Sequence, residues 1–211
     1  MCPGRFRRGQ LAVDIKRFVV GPLQTNAYVL ASDGEAAVVD PGDAPPELAK
    51  AWDGRTLRYI LLTHGHFDHA DGAELVHART GAQVLYHPDE RATFWTMGRQ
   101  PPPLAQPLRD GDRLQLGREE ILVWHLPGHS PGSVAYLWEQ GKVALVGDVL
   151  FAQSVGRSDL PGGSWENLSR SLLRLLGLGN GWRILPGHGP PTDLARERER
   201  NPYLQGLRDA R

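Results

Sequence analysis

The sequence predicts an α/β protein of the α+β type: an αββα sandwich of two mixed β-sheets with helices on both outer faces. Three observations lead to this fold. The chain of 211 residues is long enough to bury a full core. Each half of the chain begins with short apolar strands separated by Gly, Pro or Asn and continues into a helical segment. Several strands run directly into His or Asp, which is typical of a site at one edge of a sheet sandwich. We expect one domain over residues 1–211.

The first half is predicted to contain five strands and two helices. The strands are residues 13–20, 26–32, 35–40, 57–62 and 82–87. The helices are residues 45–52, with Pro in the first turn, and residues 72–80. Residues 98–111 contain three consecutive prolines and no hydrophobic period, so they are predicted to link the two halves.

The second half repeats this pattern. Its predicted strands are residues 112–117, 119–126, 133–139, 142–148 and 182–186. A helix is predicted at 165–176, where leucines recur at the i, i+4 and i+7 positions. The charges of residues 196–200 (RERER) alternate in sign, which predicts a solvated helix face rather than a nucleic-acid patch.

Composition excludes several classes of partner. Lys and Arg total 24, as do Asp and Glu, so no strong field attracts nucleic acid or an anionic membrane. No apolar run approaches the roughly 20 residues that span a bilayer. Cys2 is the only cysteine and no signal peptide is recognisable, so we expect a cytoplasmic protein. The expected partner is a small-molecule substrate.

Five of the eight histidines, together with two aspartates, point to metal chemistry. These residues are His64, His66, Asp68, His69, His129, Asp148 and His188. The first four fall within six residues, a density that we expect to be too high for one helix face or one strand face. Neutral imidazoles and carboxylates are natural ligands of divalent cations. His77, His87 and His125 stand alone and are predicted to be ordinary polar residues.

The pattern of these ligands resembles that of the metallo-β-lactamase superfamily. The resemblance rests on THGHFDHADG (63–72), the three downstream ligand candidates and the segment VVDPGD (38–43). It extends from about residue 19 to residue 204 and implies the same αββα sandwich.

The resemblance implies two divalent metal ions held by two triads. One triad is His64, His66 and His129, and the other is Asp68, His69 and His188. Asp148 would bridge the two ions together with a water or hydroxide, which Asp68 would also orient. Asp40 would either support the ligands from outside or cap the turn that follows it. Zinc is the first choice of metal, and iron and manganese stay open because every ligand atom is nitrogen or oxygen.

Within the superfamily the chain resembles the small glyoxalase II-like branch, whose members hydrolyse hydroxyacylglutathione thioesters. The matching segments are GDVLFAQSVGRSDLPGG (147–163), LPGHGPP (185–191) and RERNPYL (198–204). Arg157 lies where such enzymes place a basic residue that binds a substrate carboxylate, and the alternative for it is an ion pair with Asp159. The chain ends soon after His188, before a glutathione-binding helical segment, so the resemblance implies thioester hydrolysis and leaves the thiol carrier open.

Three other functions remain open at this point. A mononuclear iron persulfide dioxygenase would use only His64, His129 and Asp148 as ligands. A lactonase or a phosphodiesterase would direct the same nucleophile at another centre. A binding or sensing module would hold metal without turnover.

Overall fold

The structure is a computed structural model that describes residues 13–209, so Cys2 lies outside the described part of the chain. The strands are β1 (Asp14–Val20), β2 (Thr25–Ser32), β3 (Glu35–Val39), β4 (Thr56–Leu61), β5 (Gln83–Tyr86), β6 (Gln106–Pro107), β7 (Arg113–Leu116), β8 (Glu119–His125), β9 (Val134–Trp138), β10 (Val143–Gly147), β11 (Leu150–Phe151), β12 (Ser154–Val155), β13 (Arg183–Pro186) and β14 (Thr192–Asp193). The helices are α1 (Pro46–Ala49), α2 (Phe67–Ala70), α3 (Ala73–Thr80), α4 (Glu90–Thr96), α5 (Trp165–Leu176), α6 (Leu194–Arg200) and α7 (Pro202–Asp209). A 3-10 helix covers Lys50–Trp52.

Two six-stranded mixed sheets form the centre of the molecule. The first sheet has the order β1-β2-β3-β4-β5-β6, with antiparallel pairing from β1 to β3 and parallel pairing from β3 to β6. The second has the order β14-β13-β10-β9-β8-β7, in which only the β10–β13 pair is parallel. Strands β11 and β12 form a separate hairpin. The predicted architecture of two mixed sheets with helices is confirmed.

The buried apolar side chains form three clusters, one between the sheets and one on each outer face. In β2, Tyr28 and Leu30 belong to the cluster between the sheets, whereas Ala27 and Val29 belong to the cluster that includes residues of α1 to α4. This alternation is the period of two expected for a strand with both faces buried. The third cluster packs α5, α6 and α7 against the second sheet.

The ten predicted strands occur within one residue of their predicted ends, and the predicted helix at 165–176 coincides with α5. Helix α5 begins after Ser164, whose hydroxyl accepts a hydrogen bond from the Asn167 amide. Leu168, Leu172 and Leu175 are fully buried on its inner face.

Two segments between these elements depart in part from their predictions. The predicted linker 98–111 contributes β6 to the first sheet, and Leu108 beside it is fully buried. A strand of two residues that includes proline has no detectable period, and proline is tolerated because β6 is an edge strand. The segment 196–200 is helical, but Glu197 within it is fully buried rather than solvated. Its carboxylate accepts hydrogen bonds from Thr192, Asn201 and the Gln153 amide.

Side chains from each sheet bind the strand ends of the other. The Tyr136 hydroxyl in the second sheet donates to the Leu62 carbonyl at the end of β4, at 2.8 Å. The Tyr28 hydroxyl in the first sheet donates to the Pro186 carbonyl at the end of β13, also at 2.8 Å. These bonds fix the edge at which the ligand candidates lie. Within residues 13–209, no helix is long and apolar enough to cross a membrane.

Candidate metal centre

The seven ligand candidates come together at this edge of the sandwich. Strand β4 leads to His64 and His66, β8 leads to His129, β10 to Asp148 and β13 to His188. Because these strands end at one edge of the two sheets, residues far apart in sequence become neighbours. The structure therefore places all seven in one cluster, with the sets His64–His66–His129 and Asp68–His69–His188 each having ligand atoms within 4.8 Å of one another.

The four ligand candidates of the histidine-rich segment do not share one helix face or one strand face, as their density predicts. The chain is extended at His66 and then forms the single turn of α2, which carries Asp68 and His69. Only these two of the four ligand candidates lie on the helix. The extended residues before it direct His64 and His66 to the other triad.

The three-histidine triad, His64, His66 and His129, is almost completely buried. Nδ1 of His66 lies 2.9 Å from Nε2 of His129. The buried Nε2 atoms of His64 and His66 have no hydrogen-bond partner among the described residues. Buried polar atoms normally have partners, so an unpaired imidazole nitrogen in a group of three histidines whose ligand atoms lie within 4.8 Å of one another fits a bound cation.

The aspartate triad, Asp68, His69 and His188, lies next to it and is more open. Nε2 of His69 is 3.4 Å from Asp68 Oδ2 and 3.3 Å from Nε2 of His188. The Thr25 hydroxyl donates to Asp68 Oδ2 at 2.8 Å. The His188 side chain is 29% exposed, whereas His69 is fully buried, so the centre is open to solvent at His188.

Asp148 lies between the two triads. Its Oδ2 is 3.6 Å from Nε2 of His129 in one triad and 3.6 Å from Nε2 of His188 in the other. Its Oδ1 is 3.5 Å from Nε2 of His69 and is buried without a hydrogen-bond partner among the described residues. Gly187 permits this arrangement, because a Cβ atom there would lie 2.2 Å from Asp148 Oδ1. A single carboxylate thus faces both candidate metal positions.

The outward nitrogen atoms of three histidines are held by groups behind the centre. Nδ1 of His69 donates to Asp40 Oδ2 at 3.0 Å, and Nδ1 of His64 lies 3.0 Å from the Thr63 hydroxyl. That hydroxyl donates to the same Asp40 oxygen at 2.6 Å. Nδ1 of His129 donates to the backbone carbonyl of Arg157 at 2.7 Å. Such bonds leave the opposite ring nitrogen free to bind a metal.

Burial sets the protonation of the three-histidine triad. It lowers the pKa of His66 and of His129 to about 4. Burial and the neighbouring His69 imidazole hold the pKa of His64 well below its usual value. All three rings are therefore neutral at pH 7, the form that binds metals.

His69 is different because carboxylates surround it. Burial lowers its pKa, but the charges of Asp148 and Asp40 more than offset that effect and raise the pKa to about 9. Burial raises the pKa of Asp148 above its usual value. A positive charge is therefore favoured at this point of the centre, as expected where a cation binds.

The Arg157 side chain lies on the surface rather than over the centre. It is 61% exposed and forms a bidentate ion pair with Asp159, at 2.8 and 2.9 Å. Its backbone carbonyl, by contrast, contacts His129. The structure thus shows the ion pair that the sequence left as the alternative, and a role in substrate binding stays a prediction.

The remaining histidines serve other contacts. Nδ1 of His77 binds the Ala82 carbonyl. The rings of His87 and His125 stack with centroids 4.0 Å apart and planes within 5° of parallel, beside Asp89. The nitrogen lone pairs of two stacked rings lie in separate parallel planes, so they do not converge on one point. In addition, Nε2 of His125 is already bound to the Pro131 carbonyl. This group is poorly shaped for one metal ion.

Sequence reasoning missed residues that hold the ligands without binding metal themselves. Asn26 is one of them: its side-chain amide donates to the carbonyls of Pro186 and Gly189, on both sides of His188. Glu90 and Thr25 are two others. These contacts depend on the tertiary structure.

A family model described as the metallo-β-lactamase superfamily matches residues 20–188. The chain belongs to this superfamily. It is 37% identical over 206 residues to the probable metallo-hydrolase YqgX of Bacillus subtilis, with 91% of this chain and 98% of YqgX covered. It is 31% identical over 208 residues to the hydroxyacylglutathione hydrolase GloC of Haemophilus influenzae, again with 91% and 98% covered.

Two solved structures share this fold over their whole length. The B3 metallo-β-lactamase BLEG-1 superposes with a TM-score of 0.85 at 36% identity, covering 92% of this chain and 100% of BLEG-1. TTHA1623 in a di-iron-bound form superposes with a TM-score of 0.81 at 39% identity, covering 90% and 100%. The family match and the two triads place the chain in a superfamily of metallo-hydrolases, with His and Asp groups suited to divalent metals.

Proposed function

We propose that this chain is a two-metal hydrolase that cleaves thioesters of small hydroxy acids. The observation that carries the two-metal reading is Asp148, whose carboxylate faces ligands of both triads at 3.5 to 3.6 Å. A dioxygenase with one iron needs only three of these seven residues and leaves the aspartate triad without a role. The similarity to GloC supports a thioester as substrate.

The residues divide into two ligand sets with one shared member. The three-histidine triad would hold the first ion, the aspartate triad the second, and Asp148 both. Bound there, two divalent ions would lower the pKa of water toward about 7 and polarise the scissile carbonyl. Zinc is the proposed metal, and the di-iron form of TTHA1623 makes iron the alternative.

Asp68 has a second role in this proposal. The Thr25 hydroxyl donates a hydrogen bond to Oδ2 of Asp68 at 2.8 Å, so the carboxylate cannot rotate freely. A carboxylate held in this way accepts a hydrogen bond from the attacking water and directs the oxygen lone pair at the carbonyl carbon. The thiolate that leaves needs no proton donor at neutral pH, because a thiol has a pKa of about 8.5.

A substrate panel tests the proposal. The metal-loaded protein should hydrolyse S-D-lactoylglutathione or a simpler hydroxyacyl thioester with a higher kcat/KM than a lactone, a phosphodiester or a β-lactam. The β-lactam is the second candidate, because 36% identity to BLEG-1 favours it specifically. Oxygen consumption with glutathione persulfide, or hydrolysis confined to another class, would overturn the thioester proposal.

Arg157→Ala tests whether that side chain binds substrate. The backbone carbonyl that holds His129 is retained, so the metal content should not change. If the guanidinium turns from Asp159 to a substrate carboxylate, KM for an anionic thioester should rise about tenfold or more while kcat stays within about twofold. Arg170→Ala, in an exposed pair with Glu166, is the matched control. An unchanged KM would assign Arg157 to the surface ion pair alone.

A further inference from the structure

Glu90, the first residue of α4, is fully buried beside the metal centre. One carboxylate oxygen, Oε2, accepts a hydrogen bond from the Gly65 amide at 2.7 Å. The other, Oε1, accepts from the Ser130 hydroxyl and from the Gly132 amide, both at 2.6 Å. A single side chain therefore binds two loops that are more than sixty residues apart in sequence.

Both loops carry ligands of the same triad. Gly65 separates His64 from His66, and Ser130 directly follows His129. All three members of the three-histidine triad are thus within one residue of a group bound to Glu90. None of the hydrogen bonds of Glu90 reaches the aspartate triad.

The aspartate triad is held by different groups. Thr25 binds Asp68, and Asp40 binds His69. Asp40 also reaches His64 through Thr63, so it supports both triads. Glu90 is distinct because its bonds serve the three-histidine triad alone.

The contact between Glu90 and the loops requires close approach of the backbone. A Cβ atom at position 65 would lie 2.9 Å from Glu90 Oε2, and one at position 132 would lie 2.9 Å from Glu90 Cγ. Glycine at both positions lets the amides reach the carboxylate. Burying a carboxylate is unfavourable unless hydrogen bonds offset it, and burial does raise the pKa of Glu90. The three bonds from the ligand loops offset part of that cost.

We propose that Glu90 is a positioning residue that sets the affinity of the three-histidine site for its metal, independently of the second site. The inference rests on the two-metal centre of the proposed function and holds for any substrate. A carboxylate accepts from both loops at once, because each of its oxygens is an acceptor. An amide of the same shape can accept on one side only and presents an N–H to the other loop.

Glu90→Gln is the test, and Glu119→Gln is its matched control. Glu119 is also a buried glutamate that accepts a hydrogen bond, from the Trp138 indole at 2.7 Å, and it lies at the start of β8 rather than at the ligand edge. We expect Glu90→Gln to weaken one of the two metal equivalents by about 10- to 100-fold, the range for loss of groups that orient metal ligands. The other equivalent should stay within about threefold of the unmodified protein.

The readout is metal binding rather than turnover. Titration against a chelator gives the two affinities, and anomalous scattering from crystals of partly loaded protein locates the weakened site. Excess metal should restore the lost equivalent in Glu90→Gln, and Glu119→Gln should bind two ions normally. Because no substrate is involved, failure of thioester hydrolysis would leave this result interpretable.

Ser130→Ala provides a milder variant if Glu90→Gln does not fold. It removes one of the three bonds and leaves the buried carboxylate in place, so a smaller loss at the three-histidine site is expected. Equal weakening of both sites, loss confined to the aspartate triad, or unchanged affinities in the folded variants would each overturn the proposal.

Discussion

Asp148→Ala is expected to abolish two-metal binding and to lower kcat/KM for thioester hydrolysis by roughly a thousandfold or more. The carboxylate faces His129 of one triad and His69 and His188 of the other, so both ions lose a ligand at once. Metal centres supply several kcal/mol of charge stabilisation in the transition state, and each 1.4 kcal/mol corresponds to about tenfold in rate. Elemental analysis and steady-state kinetics on the same preparation measure both effects.

Asp53→Ala controls for the removal of a carboxylate. Asp53 is exposed and lies beyond the 3-10 helix, so this variant should bind two ions and keep full activity. Retention of activity by Asp148→Ala after its metal is lost would contradict the whole mechanism.

Asp40→Asn has the second largest expected effect. The carboxylate is 1% exposed and accepts hydrogen bonds from the Thr63 amide, the Thr63 hydroxyl and Nδ1 of His69. An amide N–H placed against His69 would favour the tautomer whose proton faces the metal. We expect metal affinity to fall about 10- to 100-fold. The free energy of unfolding should also fall, because buried donors lose their acceptor.

Asp43→Asn is the natural comparison, since Asp43 is exposed and binds only the adjacent Ala44 amide. In competition with a chelator, Asp40→Asn should show the weakened metal affinity and Asp43→Asn the affinity of the unmodified protein. If Asp40→Asn binds both ions with unchanged affinity, the Asp40 carboxylate does not orient the ligands.

The sandwich was predictable because its strands and helix α5 show clear hydrophobic periods in the sequence. Tyr28 and Leu30 alternate with Ala27 and Val29, and the leucines of α5 recur with the helical period. The clustering of the ligand candidates was predictable because the five histidines and two aspartates follow strand ends. Local patterns indicated these features, and the family resemblance supplied the division of the ligand candidates into two triads.

What could not be predicted depends on contacts between distant segments. Helix α4 has Thr93, Phe94 and Trp95 in sequence, which gives no clean helical period, so neither the helix nor its glutamate drew attention. Glu90 acquires its significance only when Gly65 and Ser130 are brought to it. The contact of Arg157 could not be predicted either. The sequence suggested a role for its side chain, whereas in the structure its backbone carbonyl binds His129.

The most direct test of the account is X-ray absorption spectroscopy of the fully metal-loaded protein, with the metal content measured on the same sample. The two triads and the shared Asp148 predict two ions per chain, each in a nitrogen and oxygen environment, separated by about 3.5 to 4 Å. One ion per chain, bound by His64, His129 and Asp148 with no metal–metal scattering, would contradict it.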